Sequence, residues 1–154
     1  MNALSHFWKL TAFAGAILFA SITHAGDFYE KDGAAIRGHD PVAFFTEGRP
    51  VKGSTTYSAI HKGSVFLFAT AANRDLFKAD PTRYAPLYDG YCAYGVASGH
   101  KVATDPAAFT IVDGKLYLNY NLDVRRKWSA DIPGYLAQAD KNWPAVSKQI
   151  KVVE

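Results

Sequence analysis

The stretch TTYSAIHKGSVFLFATAANRDLF, residues 55–77, decides the fold. It contains two segments rich in β-branched and aromatic residues, Thr55 to His61 and Ser64 to Phe68, with Lys62-Gly63 between them. Two such segments joined by a short turn that contains glycine are typical of a β-hairpin. The stretch therefore predicts a hairpin, and its last third predicts the helix that follows.

A short helix is expected directly after this hairpin. Thr70 is a favourable N-terminal cap, because its side-chain oxygen can accept a hydrogen bond from a free backbone N–H group. The helix should stop at Asp80, because Pro81 disfavours helical geometry in the residue before it. The residues expected to face the core are Ala72, Leu76 and Phe77.

A second hairpin is expected further along the chain. Asp113-Gly114 separates Phe109 to Val112 from Lys115 to Asn119, and Asp-Gly between alternating strands is a strong turn signal. Upstream of both hairpins, Asp40-Pro41 predicts a short helix or turn, with Asp as the cap and Pro at the first helical position. The segment from Tyr84 to Gly99 has no clear period and predicts a loop with one helical turn.

The C-terminal part of the chain, from Asn121 to about Ile150, predicts two helices with an interruption around Pro133-Gly134. Strands that come first and helices that come later argue for an α+β domain rather than a doubly wound sheet. The expected core-facing residues of these helices are Leu122, Trp128, Tyr135, Leu136, Ala139 and Trp143.

Length and composition indicate one folded domain, which we place at residues 26–154. The chain has 154 residues, and 49% of them are hydrophobic and 14% aromatic, which excludes the aromatic-poor, highly charged profile of a disordered chain. The formal net charge is only +3. Proteins that bind nucleic acid usually carry a concentrated basic surface, so no nucleic-acid partner is expected.

The first 25 residues predict a signal peptide. They contain no acid, one base at Lys9 and an uncharged run from Leu10 to Ile22, and the small residues Thr23 and Ala25 suit a cleavage site after Ala25. As a helix the uncharged run would span about 20 Å, whereas the hydrocarbon layer is about 30 Å thick. We therefore expect an exported, periplasmic or secreted protein with no permanent membrane anchor; an uncleaved N-terminal anchor is the alternative.

Several motifs, taken in order, resemble the YHS domain family, and the resemblance covers about residues 34–145. The segments similar to the core of that domain are Asp40-Pro41-Val42, Phe66 to Phe77, Asp80-Pro81 and Tyr84. The segments similar to its exported, single-domain branch are Gly90 to Val96, Val112 to Asn119 and Asn142-Trp143-Pro144. The resemblance implies a small α+β domain related to treble-clef metal-binding folds, in which some members hold a metal ion through cysteines.

The cysteines that the resemblance implies are absent from this sequence. The matching positions hold Ala43, Ala69 and Asn73. None of these side chains can supply a thiolate, so the thiolate site of the family is not carried over.

A different set of soft ligands remains in the chain. Cys92, the one cysteine, could bind copper or zinc together with His39 and His100, which both follow a glycine. Their spacing does not require this arrangement, and other roles stay open. Cys92 could be a small buried apolar residue or a reactive thiol, His39 a polar loop residue, and His100 a surface residue.

Two further functions are open at this point. Tyr84, Tyr88, Tyr91 and Tyr94 could form a pocket for a small molecule or a protein partner, or they could pack as an aromatic layer. A thiol enzyme would need a base beside Cys92, and no catalytic signature such as G-x-S-x-G or H-E-x-x-H accompanies that residue. We therefore expect metal binding or handling through Cys92 and histidine first, a metal-free binding module that uses a tyrosine-rich pocket as the alternative, and a thiol enzyme as the second alternative.

Overall fold

A computed structural model of the protein describes residues 26–154. The predicted signal peptide lies outside the described residues. Within residues 26–154, no helix is both long enough and apolar enough to cross a membrane.

The described chain contains eight strands and six α-helices, all of them short except the last helix. The strands are β1 (Glu30–Lys31), β2 (Ala34–Ala35), β3 (Ser54–His61), β4 (Ser64–Phe68), β5 (Lys101–Val102), β6 (Asp105–Val112), β7 (Lys115–Asn119) and β8 (Val152–Val153). The helices are α1 (Ala43–Thr46), α2 (Ala71–Ala79), α3 (Pro81–Tyr84), α4 (Ala93–Ala97), α5 (Leu122–Ser129) and α6 (Ile132–Val146). Tight 3₁₀ segments lie at Ile36–Gly38 and Leu87–Gly90.

The strands pair two by two. β1 pairs with β2, β3 with β4 and β6 with β7, all antiparallel, while β5 and β8 pair in parallel. Both hairpins predicted from the sequence are confirmed, with Lys62-Gly63 and Asp113-Gly114 at their turns in left-handed backbone conformations. The prediction of an α+β domain is confirmed as well.

Helix α2 confirms its predicted cap and corrects its predicted packing. The Thr70 side chain accepts a hydrogen bond from the backbone N–H of Asn73 at 3.1 Å, and Phe77 is buried. The expectation that Ala72 and Leu76 face the core is wrong, since Ala72 is exposed and Leu76 is 46% exposed. Neighbouring residues of a helix point about 100° apart, so a short helix anchored by Phe77 leaves Leu76 in solvent.

The two predicted C-terminal helices are confirmed, but the interruption lies earlier than expected. Asp131 caps α6 by accepting a hydrogen bond from the backbone N–H of Gly134 at 3.0 Å. Pro133 therefore lies in the first turn of α6, where a missing N–H group costs nothing. Leu122 is the first residue of α5 and is 50% exposed, so its expected core position is wrong, whereas Trp128 and Ala139 are fully buried.

The hairpin β6–β7 separates two apolar cores. Because side chains alternate across a strand, β7 sends Leu116 and Leu118 to one core and Tyr117 to the other. The first core is built mainly from Phe44, Phe66, Phe68, Phe77 and Tyr84. The second core is built mainly from Tyr88, Tyr91, Val96, Trp128, Ala139 and Val146.

Candidate functional site

Cys92 lies directly before helix α4 and acts as its N-terminal cap. Its Sγ atom accepts a hydrogen bond from the backbone N–H of Gly95 at 3.4 Å, and its own N–H donates to the carbonyl of Val102 at 3.0 Å. The residue is only 1% exposed. The thiol is therefore fixed by the start of one helix and by the strand β5 beside it.

The buried side chain of Asn119, at the end of β7, holds the thiol from the other side. Asn119 Oδ1 accepts hydrogen bonds from Cys92 Sγ at 3.4 Å and from the backbone N–H of Tyr94 at 3.2 Å. The second bond fixes the orientation of the amide, since only its oxygen can accept from a backbone N–H. Asn119 Nδ2 is buried and has no hydrogen-bond partner among residues 26–154. A buried donor without a partner is a feature that native proteins rarely tolerate without a reason.

A small cleft of about 310 Å³ adjoins the thiol. Its lining is mostly aliphatic and aromatic, with the Glu154 carboxylate as the one charged side chain. The lining residues are Cys92, Tyr94, Gly95, Val102, Tyr120, Val124, Val153 and Glu154. A side chain at Gly95 would collide with Val102, so glycine at this position lets α4 lie close to β5 beside the cleft. We refer to this feature as the Cys92 cleft.

Burial controls the chemistry of the thiol. It raises the pKa of Cys92, and the backbone N–H groups that approach the sulfur oppose this shift only in part. Cys92 is therefore a neutral thiol at neutral pH. Because the thiolate is the form that attacks electrophiles and binds metal ions, this environment lowers both reactivities.

Within residues 26–154, Cys92, His39 and His100 do not come together as a group that could hold a metal ion. His39 is half-buried, its Nδ1 atom lies 3.0 Å from the carbonyl of Ile36, and its backbone pairs with Lys52. Burial lowers the pKa of His39. His100 is exposed, and its backbone N–H donates to the carbonyl of Gly95. Across residues 26–154, no group of three or more His, Cys, Asp or Glu side chains could hold a metal ion.

The four tyrosines of the expected pocket also lie apart. Tyr84 is buried in the first core, where its ring packs edge-on against Phe45. Tyr88, Tyr91 and Tyr94 line three different clefts. Tyr94 alone lies in the Cys92 cleft. The tyrosines therefore serve mainly as packing residues of two cores, and they do not form a common pocket.

The three positions where the family resemblance implies cysteines do come together, around the carboxylate of Asp40. Asp40 Oδ1 accepts from the backbone N–H groups of Val42 at 2.9 Å and Ala43 at 3.3 Å. Its Oδ2 accepts from the N–H of Ala69 at 2.9 Å and from Asn73 Nδ2 at 2.8 Å. A carboxylate that is fully buried and surrounded by N–H donors has no room or free lone pairs for a cation. These residues do not fit the metal that the resemblance implies.

Only part of the surroundings of Asp40 and Cys92 is predictable from the sequence. The short helix or turn expected after Asp40-Pro41 is present, but α1 begins at Ala43 with Val42 at its cap position, so Asp40 holds the preceding turn and Pro41 is not the first helical residue. The bonds of Asp40 to Ala69 and Asn73 connect segments that no local pattern relates. Asn119 was expected only as the last residue of a strand. A polar residue directly after the apolar run Leu-Tyr-Leu was the one signal for it, and that signal is weak because strands commonly end in Asn.

No protein-family model matches the chain, and no curated protein or solved structure matches it. The fold and the site therefore define a class only: a small α+β domain that holds a neutral, buried thiol at the wall of an apolar cleft. The resemblance to the YHS family stays a prediction.

Proposed function

We propose that this chain is a binding module and that the Cys92 cleft takes a small, largely apolar molecule. The observation that carries the proposal is the cleft of about 310 Å³ with its mostly apolar lining next to a neutral thiol. Binding sites for small molecules are typically concave, mostly apolar and largely preformed, with few polar groups. The Cys92 thiol would serve as a polarisable apolar wall.

The proposal takes up the alternative from the sequence, a metal-free binding module, and places its binding site at the Cys92 cleft instead of a pocket of four tyrosines. The tyrosine-rich segment contributes Tyr94 to this cleft, and Tyr120 adds a second ring. We also propose that the protein is exported and that it is a YHS-type domain without the thiolate metal site. Both proposals rest on the sequence patterns of residues 1–25 and 34–145.

The test uses a variant whose larger side chain fills the Cys92 cleft. In Val124→Trp, a large side chain on α5 replaces a half-buried wall residue, while the control Ile60→Trp changes a residue on β3 that is 76% exposed and lies outside the cleft. The probe is the uncharged dye Nile red, titrated by fluorescence. We expect saturable binding to the unmodified protein and to the control, and about tenfold or weaker binding to Val124→Trp, a loss of about 1.4 kcal/mol.

Dye binding should also slow the alkylation of Cys92 by iodoacetamide, because a ligand in the cleft covers the sulfur. Equal dye affinity in Val124→Trp, or an alkylation rate that the dye leaves unchanged, would contradict the proposal.

A soft metal ion at Cys92 is the second candidate, and the position of the residue in the wall of an open cleft favours it. Cu(I) binds thiolate strongly, and coordination would have to displace the proton that burial retains on the sulfur. Titration with Cu(I) in a competing chelator tests this candidate. Binding that disappears in Cys92→Ser would support a metal function, and identical Cu(I) binding in Cys92→Ser would remove Cys92 as the ligand.

Alkylation of Cys92 also distinguishes the thiol-enzyme alternative from the binding role. It requires rapid alkylation of Cys92 at mildly acidic pH, whereas the buried thiol predicts slow alkylation there.

A further inference from the structure

A second cleft, of about 580 Å³, lies where the described chain begins. Its lining includes Gly26, Asp27, Asp89, Tyr91 and Lys101. This cleft is polar and carries both acidic and basic side chains, unlike the Cys92 cleft. We refer to it as the Asp89 cleft.

Asp89 is held in this cleft by an unusual backbone. Tyr88 and Asp89 have φ values of 52° and 49°, a left-handed conformation that costs residues other than glycine about 1–3 kcal/mol each. The carbonyl of Asp89 accepts a hydrogen bond from the N–H of Tyr29 at 2.8 Å, and the Tyr88 hydroxyl donates to Asp140 at 2.8 Å. Asp89 also lines the neighbouring cleft, to which Tyr88 contributes. The surrounding structure therefore holds the Asp89 carboxylate at a fixed place between two clefts.

The carboxylate of Asp89 is compensated in part. Burial raises the pKa of Asp89, Lys62, Lys101 and His61 act against this increase, and the neighbouring Asp27 adds to it. The Nζ atom of Lys62 lies 3.8 Å from Asp89 Oδ1, and the lysine side chain is itself 53% exposed. An additional ammonium group in the cleft would therefore gain from this charge.

The same cleft already accepts one ammonium group from the chain. The Nζ atom of Lys101 lies 4.8 Å from the centre of the Tyr91 ring, which is a favourable cation–π distance. Since Lys101 already contacts the ring, the carboxylates of Asp27 and Asp89 are the groups that would receive a further ammonium ion in this cleft.

Gly26 enters this cleft with its backbone fixed. A Cβ atom at Gly26 would collide with Ser64 and would lie 2.6 Å from the carbonyl carbon of Gly63, so only glycine fits against this turn. The next residue continues the attachment, because the N–H of Asp27 donates to the carbonyl of Lys62 at 3.1 Å. The chain is thus anchored from its first described residue onward.

We propose, on the basis of the proposed export of the protein, that cleavage after Ala25 releases an α-ammonium group at Gly26, and that this group lies in the Asp89 cleft, whose wall Gly26 lines. A signal peptidase would hydrolyse the Ala25–Gly26 peptide bond with one water molecule, leaving the carboxylate on Ala25 and the amino group on Gly26. That amino group is protonated at neutral pH, since an α-amino group has a pKa of about 8. Asp27 and Asp89 receive the new charge, so that removal of the leader completes the packing of the N-terminal segment.

The experiment starts from the full chain, expressed with its leader and recovered from the exported fraction. Intact mass identifies the first residue, and NMR measures the pKa of its α-amino group. We expect a product that begins at Gly26, with an α-amino pKa above the ordinary value of about 8. The titratable groups around the cleft that act on this value are Asp27, His61, Lys62, Asp89, Tyr91 and Lys101.

Asp89→Asn is the deciding variant. Asn adopts left-handed backbone conformations readily, so the variant keeps the turn and removes only the charge. The α-amino pKa should fall toward its ordinary value in Asp89→Asn and stay raised in the control Glu47→Gln, a surface carboxylate paired with Arg49. A product that begins elsewhere, or an α-amino pKa that Asp89→Asn does not change, overturns the proposal.

A free amine could use the same chemistry, and methylammonium is the probe for that source. If the Gly26 amino group fills the cleft, millimolar methylammonium leaves the NMR signals of Asp89 and Tyr91 in place. Saturable shifts of those signals in the processed protein would overturn the chain terminus as the occupant and assign the cleft to an external amine. Neither outcome affects the Cys92 cleft, which is tested by a different probe.

Discussion

At the scale of single residues, Asp40 does what a bound metal ion does in other small domains: it joins segments that are distant in sequence. Its carboxylate connects the turn before α1 with the end of β4 and with α2, through Ala43, Ala69 and Asn73. An ion joins such segments by accepting electron pairs from ligands, whereas the Asp40 carboxylate joins them by accepting hydrogen bonds from N–H groups.

The first prediction concerns Asp40 itself. Asp40→Ala leaves three backbone N–H groups and the Asn73 amide without their acceptor in a buried site, and each unpaired buried donor costs about 1–3 kcal/mol. We expect a loss of about 3–5 kcal/mol in the free energy of unfolding, measured by urea denaturation.

Two variants on helix α2 serve as references for the loss of stability in Asp40→Ala. Asn73→Ala removes one of the four donors, so it should cost about 1 kcal/mol. Asp75→Ala removes an exposed carboxylate on the same helix and should change the stability by less than about 0.5 kcal/mol. If Asp40→Ala costs no more than Asp75→Ala, the carboxylate does not hold the three segments together.

At the scale of helices and strands, local sequence patterns predicted what local forces determine. The two hairpins follow from turn chemistry and strand composition, and the cap at Thr70 follows from one side-chain hydrogen bond. The exposed Leu76 and Leu122 were predicted wrongly, because helix periodicity gives a face but does not say how much of that face a neighbour covers. The pairing of β5 with β8 joins residues about 50 apart in sequence, and no local signal relates them.

That pairing has a consequence for the Cys92 cleft. The carbonyl of Val153 accepts a hydrogen bond from the N–H of Ala103 at 2.8 Å, and Val153 and Glu154 form part of the cleft wall. Glu154 is attached in turn, since it accepts hydrogen bonds from the Tyr29 hydroxyl and from Lys31. Strand β8 therefore covers one side of the thiol.

The second prediction is that removal of residues 150–154 exposes Cys92. The alkylation rate of Cys92 by iodoacetamide at constant pH should rise about tenfold or more, because access to a buried thiol limits that rate. Circular dichroism should show unchanged helix content. Ile150→Ala is the control, since Ile150 is 99% exposed and lies outside the cleft wall. An unchanged alkylation rate in the truncated chain would mean that β8 does not protect the sulfur.

At the scale of the whole molecule, the candidate site lies where the second core meets the strand that divides the cores. Strand β7 places apolar side chains on both of its sides and ends in Asn119, which holds Cys92 and Tyr94. Sequence analysis identified Cys92 as a candidate because of its residue type. It could not identify Asn119, Tyr120, Val124 or Val153 as its neighbours, because they come together only when β7, α5 and β8 have packed around α4.

Burial of Cys92 also makes the free energy of unfolding depend on pH in the alkaline range. The folded state raises the pKa of Cys92 above its unfolded value, so the unfolded chain loses the thiol proton first as pH rises. The stabilisation is complete below the unfolded pKa of about 8.5 and declines above it. A single proton gives a slope of at most about 1.4 kcal/mol per pH unit.

The third prediction follows from this sign. Between about pH 8.5 and 9.5, where most tyrosines of the unfolded chain are still protonated, the free energy of unfolding should fall more steeply with pH in the unmodified protein than in Cys92→Ser. Urea denaturation at several pH values measures both slopes, and their difference isolates the thiol because the variant keeps every other titratable group. At higher pH both proteins should lose stability further, since burial also raises the pKa of Tyr91 and Tyr117 in both of them. Parallel curves below about pH 9.5 would show that burial does not raise the pKa of Cys92 in the folded protein, and the proposed role of Cys92 as a neutral wall of the cleft would then be wrong.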